Sequence, residues 1–269
     1  MKRNHLLRLF ALTFFVAISF NSNSQTYQWA KNGFSEGYDY GNCITTDDSG
    51  NVYIAGQIEY SANFEGQILN SAGKHDILVG KYDKNGNKKW LKRAGGLGGD
   101  VCWGIGVDKY HNVYIAGEIE MTAGFGPGDS LTVAGVNDIF LVKLDAVGNP
   151  LWLKRMGSTN DDKAKGLAVD ENGYCYVVGY YTNNTSFGMF NLNNSGGNDV
   201  FIAKYTPEGR CVWAKKAGGS NEDRGRSIAL SPTGHLYVVG TFTQSITFNN
   251  TNYTSTGKNS AFIAQYDTS

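Results

Sequence analysis

Four tryptophans, Trp29, Trp90, Trp152 and Trp213, each open a Trp-(Ala/Leu)-Lys triplet, and they stand 61, 62 and 61 residues apart. Gly56, Gly117, Gly179 and Gly240 keep the same 61, 62, 61 spacing, each closing an apolar strand such as Val113-Tyr114-Ile115-Ala116. A near-constant period carried by two separate landmarks means one supersecondary unit copied in tandem, which removes most other folds at once. The copies span approximately residues 29–89, 90–151, 152–212 and 213–269.

In the third copy, Trp152-Leu153-Lys154 is followed by Gly166-Leu167-Ala168-Val169, then Tyr176-Val177-Val178, then Val200-Phe201-Ile202-Ala203. These short β-branched or aromatic runs are bounded by Gly, Asn or Asp turns, and four strands per unit is the make-up of a propeller blade. Runs such as Ile139-Phe140-Leu141-Val142 are too continuously apolar to leave a face in water, so neighbouring copies must cover one another. The expected fold is all-β: a β-propeller of four four-stranded blades of about 61 residues, filling 25–269, as a closed four-bladed ring or as part of a larger propeller. The recurring tryptophans are read as structural filler, because a large aromatic ring buries roughly 150–250 Å² between sheets. The recurring glycines are read as structural too. In a closed ring the Trp29 strand would complete the last blade and protect its edge. The stop at Asp267-Thr268-Ser269, inside a turn, favours a cut chain as the competing expectation.

The pattern Gly-(Leu/Ile)-Ala-Val-Asp-x-x-Gly-x-x-Tyr-Val-x-Gly, followed by Gly-x-x-Asp-(Ile/Val)-Phe-(Ile/Leu)-x-Lys-(Tyr/Leu), resembles, in four copies, the bacterial seven-bladed β-propeller repeat family called SBBP repeats. The resemblance implies an exported, multi-bladed propeller, often a module of larger surface or secreted proteins, and carries no catalytic residues. Asp83 to Trp90 and Asp145 to Trp152 also look like the tryptophan-docking motif of quinoprotein dehydrogenase propellers, which is a blade-packing device and implies nothing about a cofactor site.

Residues 1–24 read as a secretory signal peptide: Lys2, Arg3 and Arg8 precede an apolar run from Leu9 to Phe20, with small residues at Ser22 and Ser24. That run is shorter than the roughly 20 residues a bilayer requires, so no transmembrane segment is expected once the signal is removed. The expected location is secreted, periplasmic or on the cell surface. Lys+Arg and Asp+Glu are equal at 24 each, which lacks the basic footprint of a nucleic-acid binder. Cys43, Cys102, Cys175 and Cys211 fall at different places in the repeat. Buried free thiols are therefore expected rather than a disulfide framework, with one incidental pair left open.

The sequence offers little chemistry. His75, His111 and His235 are scattered without zinc-site spacing, and no nucleophile elbow or phosphate loop is present. Asp39, Asp100, Asp162 and Asp223 recur five residues before Ile44, Ile105, Leu167 and Ile228. They are the candidate binding residues: a ring of them could chelate calcium or line a polar opening, while the local alternative is a turn Asp accepting its own backbone amides. No other cofactor is expected. Asp76, Asp138 and Asp199 recur with Ser260 in the fourth place and read as turn caps. The functional expectation is a non-catalytic interaction module recognising a protein or glycan. The alternatives are a secreted hydrolase, lyase or dehydrogenase with a central acidic site, and a structural spacer or fragment of a larger surface protein.

Overall fold

A computed structural model describes residues 27–268; the expected signal segment lies outside them. All regular structure among the described residues is β, and none of their helices is long and apolar enough to cross a membrane, there being none. After the short β1 (Gly33–Phe34), the first blade is built of β2 (Tyr40–Thr46), β3 (Val52–Ile58), β6 (Asp76–Tyr82) and β7 (Lys88–Gly96), with the hairpin β4 (Ser61–Phe64) and β5 (Gln67–Asn70) inserted before β6. The second repeats this with β8 (Val101–Val107), β9 (Val113–Ile119), the hairpin β10 (Thr122–Gly126) and β11 (Asp129–Thr132), then β12 (Asp138–Leu144) and β13 (Pro150–Met156). The third has β14 (Lys163–Val169), β15 (Cys175–Tyr181), the hairpin β16 (Thr185–Phe187) and β17 (Phe190–Leu192), β18 (Asp199–Tyr205) and β19 (Cys211–Gly218). The last comprises β20 (Arg224–Leu230), β21 (His235–Phe242), the hairpin β22 (Ser245–Phe248) and β23 (Thr251–Thr254), and β24 (Ser260–Asp267), a three-stranded sheet ordered β20-β21-β24.

Every neighbouring pair within a blade is antiparallel. The strands that read as continuous apolar runs, β9, β12 and β15, are buried along their whole length, as sheets covered on both faces must be. One core cluster joins Tyr53, Ala55, Ile77 and Val79 of the first blade to Ile105, Ile115, Phe140 and Val142 of the second. Two further clusters join the second blade to the third and the third to the fourth in the same way.

The tryptophan strand is the outer strand of a blade, not its opening one: β7, β13 and β19 each pair backwards with the third strand of the same sheet. Its indole reaches forwards. Trp90 Nε1 donates to Ala146 O at 3.0 Å and Trp152 Nε1 to Pro207 O at 2.9 Å, both in the turn that precedes the next blade's outer strand. The turn must carry glycine there: Gly148 and Gly209 have φ of 81° and 79°, and a Cβ would meet the Trp90 ring at 3.1 Å and the Trp152 ring at 2.9 Å. Each folded blade is thus offset from the sequence copy by one strand, because the same residue pairs with one sheet and packs on the next.

The first strands of successive blades abut one another, β2 on β8, β8 on β14 and β14 on β20, and so form the narrow inner rim. In-chain closure by the Trp29 strand is not what forms. Trp29 sits on the first blade, its Nε1 donating to Lys84 O at 3.1 Å and its ring stacked 6.4 Å from Tyr82, while β1 pairs with β4 and β24 remains the edge of its sheet. The indole-to-turn docking that operates at the inner seams holds this segment against the first blade.

Candidate functional site

Each inner strand is interrupted by a β-bulge at the same place. The register against the second strand slips between Gly41 and Cys43, Cys102 and Gly104, Ala164 and Gly166, and Gly225 and Ser227. The extra residues are Asn42, Trp103, Lys165 and Arg226. A bulge leaves its extra residue outside the ladder and re-aims its side chain, here onto the inner rim. The recurring glycines explain how the bulge is accommodated. Gly56, Gly117, Gly179 and Gly240 lie within the second strand, two residues before its end, rather than closing it, and a Cβ there would meet the carbonyl oxygens of Tyr40, Val101, Lys163 and Arg224 at 1.8, 1.9, 1.9 and 2.2 Å. Only the absence of a side chain lets the bulged strand come this close.

The bulged residues of the second and third blades meet. Trp103 Nε1 donates to Glu118 Oε2 at 2.8 Å, and Lys165 Nζ lies 4.0 Å from the centre of the Trp103 ring and 3.1 Å from Glu118 Oε2. Lys163 Nζ is 3.6 Å from Glu118 Oε1 and 3.4 Å from Asp161 Oδ1, and the Arg224 guanidinium stands 5.1 Å from the Tyr180 ring while pairing with Glu222 at 2.7 Å. Burial pulls the Lys165 ammonium below its ordinary pKa despite Glu118, whereas at Lys163 burial is outweighed by Glu118 and Asp161 and the pKa rises. Arg226 is exposed. The result is a strip of cations backed by one indole, with Glu118 buried beneath it. At the first blade, Asn42 Nδ2 donates across the seam to Cys102 O at 3.1 Å. Periodicity could not distinguish this row from the rest of the repeat, but one signal was available: Trp103 is the one tryptophan outside the 61-residue series.

The sequence-derived acidic candidates lie elsewhere. Asp100 Oδ1 accepts Glu120 N at 3.0 Å and its Oδ2 accepts Gly96 N at 2.7 Å, so one carboxylate ties the end of its own second strand to the end of the preceding blade's outer strand. Asp223 does the same for Thr243 N at 3.3 Å and Gly219 N at 2.6 Å, Asp162 for Thr182 N at 2.8 Å and Ser158, and Asp39 takes Glu59 N at 3.0 Å. The four are spread over successive blades, and the acidic neighbours felt by the three buried ones are Asp76 and Glu120 at Asp100, Asp138 at Asp162, and Asp199 and Glu222 at Asp223. Those three cap their turns through Oδ2, accepting Ala72 N and Ala134 N at 2.7 Å and Ser195 N at 2.6 Å, and each leaves Oδ1 buried without a partner. Desolvation, reinforced by the neighbouring carboxylate, pushes Asp100 and Asp223 up to about 6. Arg93 and Arg155 also pair with the Oδ2 atoms of Asp76 and Asp138.

Two further placements concern the sequence candidates. All four cysteines are free thiols, and Cys102 is held far above its ordinary pKa by burial and by a hydrogen bond with Cys43 across the first seam. His111, isolated in the sequence, lies 3.0 Å from Asp47 Oδ2, with Asp48 completing a group whose ligand atoms fall within 4.8 Å. It takes φ 62° where the equivalent Gly50, Gly173 and Gly234 take 78°, 87° and 80°.

This architecture defines an all-β protein of tandem propeller-type blades. Residues 151–188, from β13 through the hairpin turn after β16, match the SBBP beta-propeller repeat. An uncharacterized WD repeat-containing protein, L264, from Acanthamoeba polyphaga mimivirus is 25% identical over 219 residues, covering 66% of this chain and 16% of that protein. The regulatory protein FlaEY from Caulobacter vibrioides is 29% identical over 112 residues, 40% of this chain and 12% of that one. The chain therefore spans a small part of the length of both relatives. A solved protein of unknown function from Bacteroides caccae aligns with a TM-score of 0.38 at 8% identity, covering 86% of this chain and 61% of that one.

Proposed function

We propose that this chain is an exported, non-catalytic interaction module that recognises a protein or glycan at the cell envelope or outside the cell, and that it does so through the inner-rim strip of Trp103, Lys165 and Arg226. The observation that supports this is the bulge repeated in every blade. It presents one side chain per blade on a common scaffold, and those side chains differ chemically while their backbone setting does not. An indole flanked by the Lys165 ammonium group, with the exposed Arg226 on the next blade, suits a partner that offers an apolar or sugar face beside carboxylates. The carboxylates that a central acidic enzyme site would use are engaged by backbone amides at the seams. Retention of envelope polysaccharides and proteins on immobilised chain, compared between the natural protein and a Trp103→Ala/Lys165→Glu variant, tests the reading. Loss of at least tenfold in retention is expected from the variant; equal retention, or turnover of any bound polymer, would overturn it.

A further inference from the structure

We propose that two copies of this chain associate head to tail, with the segment around Trp29 of one copy supplying the outer strand of the other copy's fourth blade. This goes beyond the binding role above and does not depend on it. In the second and third blades the outer strand, β13 or β19, lies between the third strand and the inserted hairpin, packed against β11 or β17. In the fourth blade the same position is an open groove of about 560 Å³ between β24 and the hairpin β22–β23, lined by Phe242, Ile246, Phe248, Phe262 and Tyr266. β24 is the edge of its sheet there. The chain carries a fourth Trp-(Ala/Leu)-Lys segment, residues 29–31, which joins none of its own four blade sheets.

The two end faces are complementary by the chain's own example. Ile44 of the first blade is 69% exposed, whereas its equivalents Ile105, Leu167 and Ile228 are 7%, 9% and 8% exposed because a preceding blade covers them. At the opposite end Tyr237 and Ile263 are 39% and 73% exposed, against 0–2% for the equivalents Tyr53, Tyr114 and Tyr176 and for Val79, Leu141 and Ile202. The uncovered face of the fourth blade is therefore the kind of surface that covers Ile105, Leu167 and Ile228, and the uncovered face of the first blade is the kind that receives it. Placing a second copy so that these faces meet repeats a seam already made three times and adds a strand to an open edge. The register follows from β18 and β19, where Ala203 faces Ala214 and Lys204 faces Trp213. It places Ala30 of one copy opposite Ala264 of the other and Trp29 opposite Gln265.

Light scattering on the purified protein at tens of micromolar measures the mass directly, and a mass of two chains or a higher whole multiple is expected. Mixing an Ala30→Cys protein with an Ala264→Cys protein under mild oxidation should give a linked pair that neither variant forms alone. A single-chain mass across the concentration range would overturn the proposal. So would a bridge that forms within one chain when both cysteines are placed on it, because that would mean closure in cis.

Discussion

At the residue scale, the least expected feature is the set of buried carboxylate pairs. Asp100 and Asp223 have a folded pKa of about 6, raised by burial and then by Asp76 and Asp199, against an unfolded value near 4. The folded state thus holds protons that the unfolded state has released, so this contribution is fully present below about pH 4 and is lost as pH rises through about 6. Asp100→Asn should therefore flatten the fall in stability between pH 4 and 7 relative to the natural chain, measured by urea unfolding at several pH values; parallel curves for the two proteins would contradict the raised pKa of Asp100. Much of this was not legible in the sequence. The recurrence of Asp100 and Asp162 was visible, but their burial beside Asp76 and Asp138 depends on how one blade's outer strand meets the next blade's inner strand, which is a long-range contact. The bulge was hidden for a related reason. Asn42, Trp103, Lys165 and Arg226 share no residue type, and the glycine that makes room for them sits on the partner strand.

At the scale of elements, the period of the tryptophans carried the architecture, because a residue that pairs with one sheet and docks on the next marks both the strand and the seam. What periodicity could not place was the boundary. A sequence copy beginning at Trp152 and a blade ending at Met156 differ by one strand, and only the pairing of β13 with β12 decides between them. The docking has a measurable value. Trp152→Phe retains most of the buried ring but removes the bond from Nε1 to Pro207 O, and is expected to cost about 1 kcal/mol; Trp152→Ala, which also opens a cavity against Tyr114, should cost about 3 kcal/mol or more in chemical unfolding. Equal costs for the two substitutions would mean that the indole nitrogen contributes nothing to the seam.

At the scale of the whole molecule, stability is a sum over blades and seams, since each blade contacts only its neighbours. The end blades carry the exposed faces and the free edge of β24, while the sandwiched strands β9, β12 and β15 carry the most complete burial. The Trp103–Lys165 contact of the inner-rim strip crosses the seam between the second and third blades, so its geometry is only as rigid as that seam. Exchange of the tryptophan indole protons with solvent, followed residue by residue by nuclear magnetic resonance, tests that dependence most directly. The indole N–H groups of Trp90 and Trp152, each donated to a turn carbonyl of the next blade, should exchange far more slowly than a free indole. Exchange of both at the free-indole rate would contradict the stacking of blades on which the fold and the proposed strip rest.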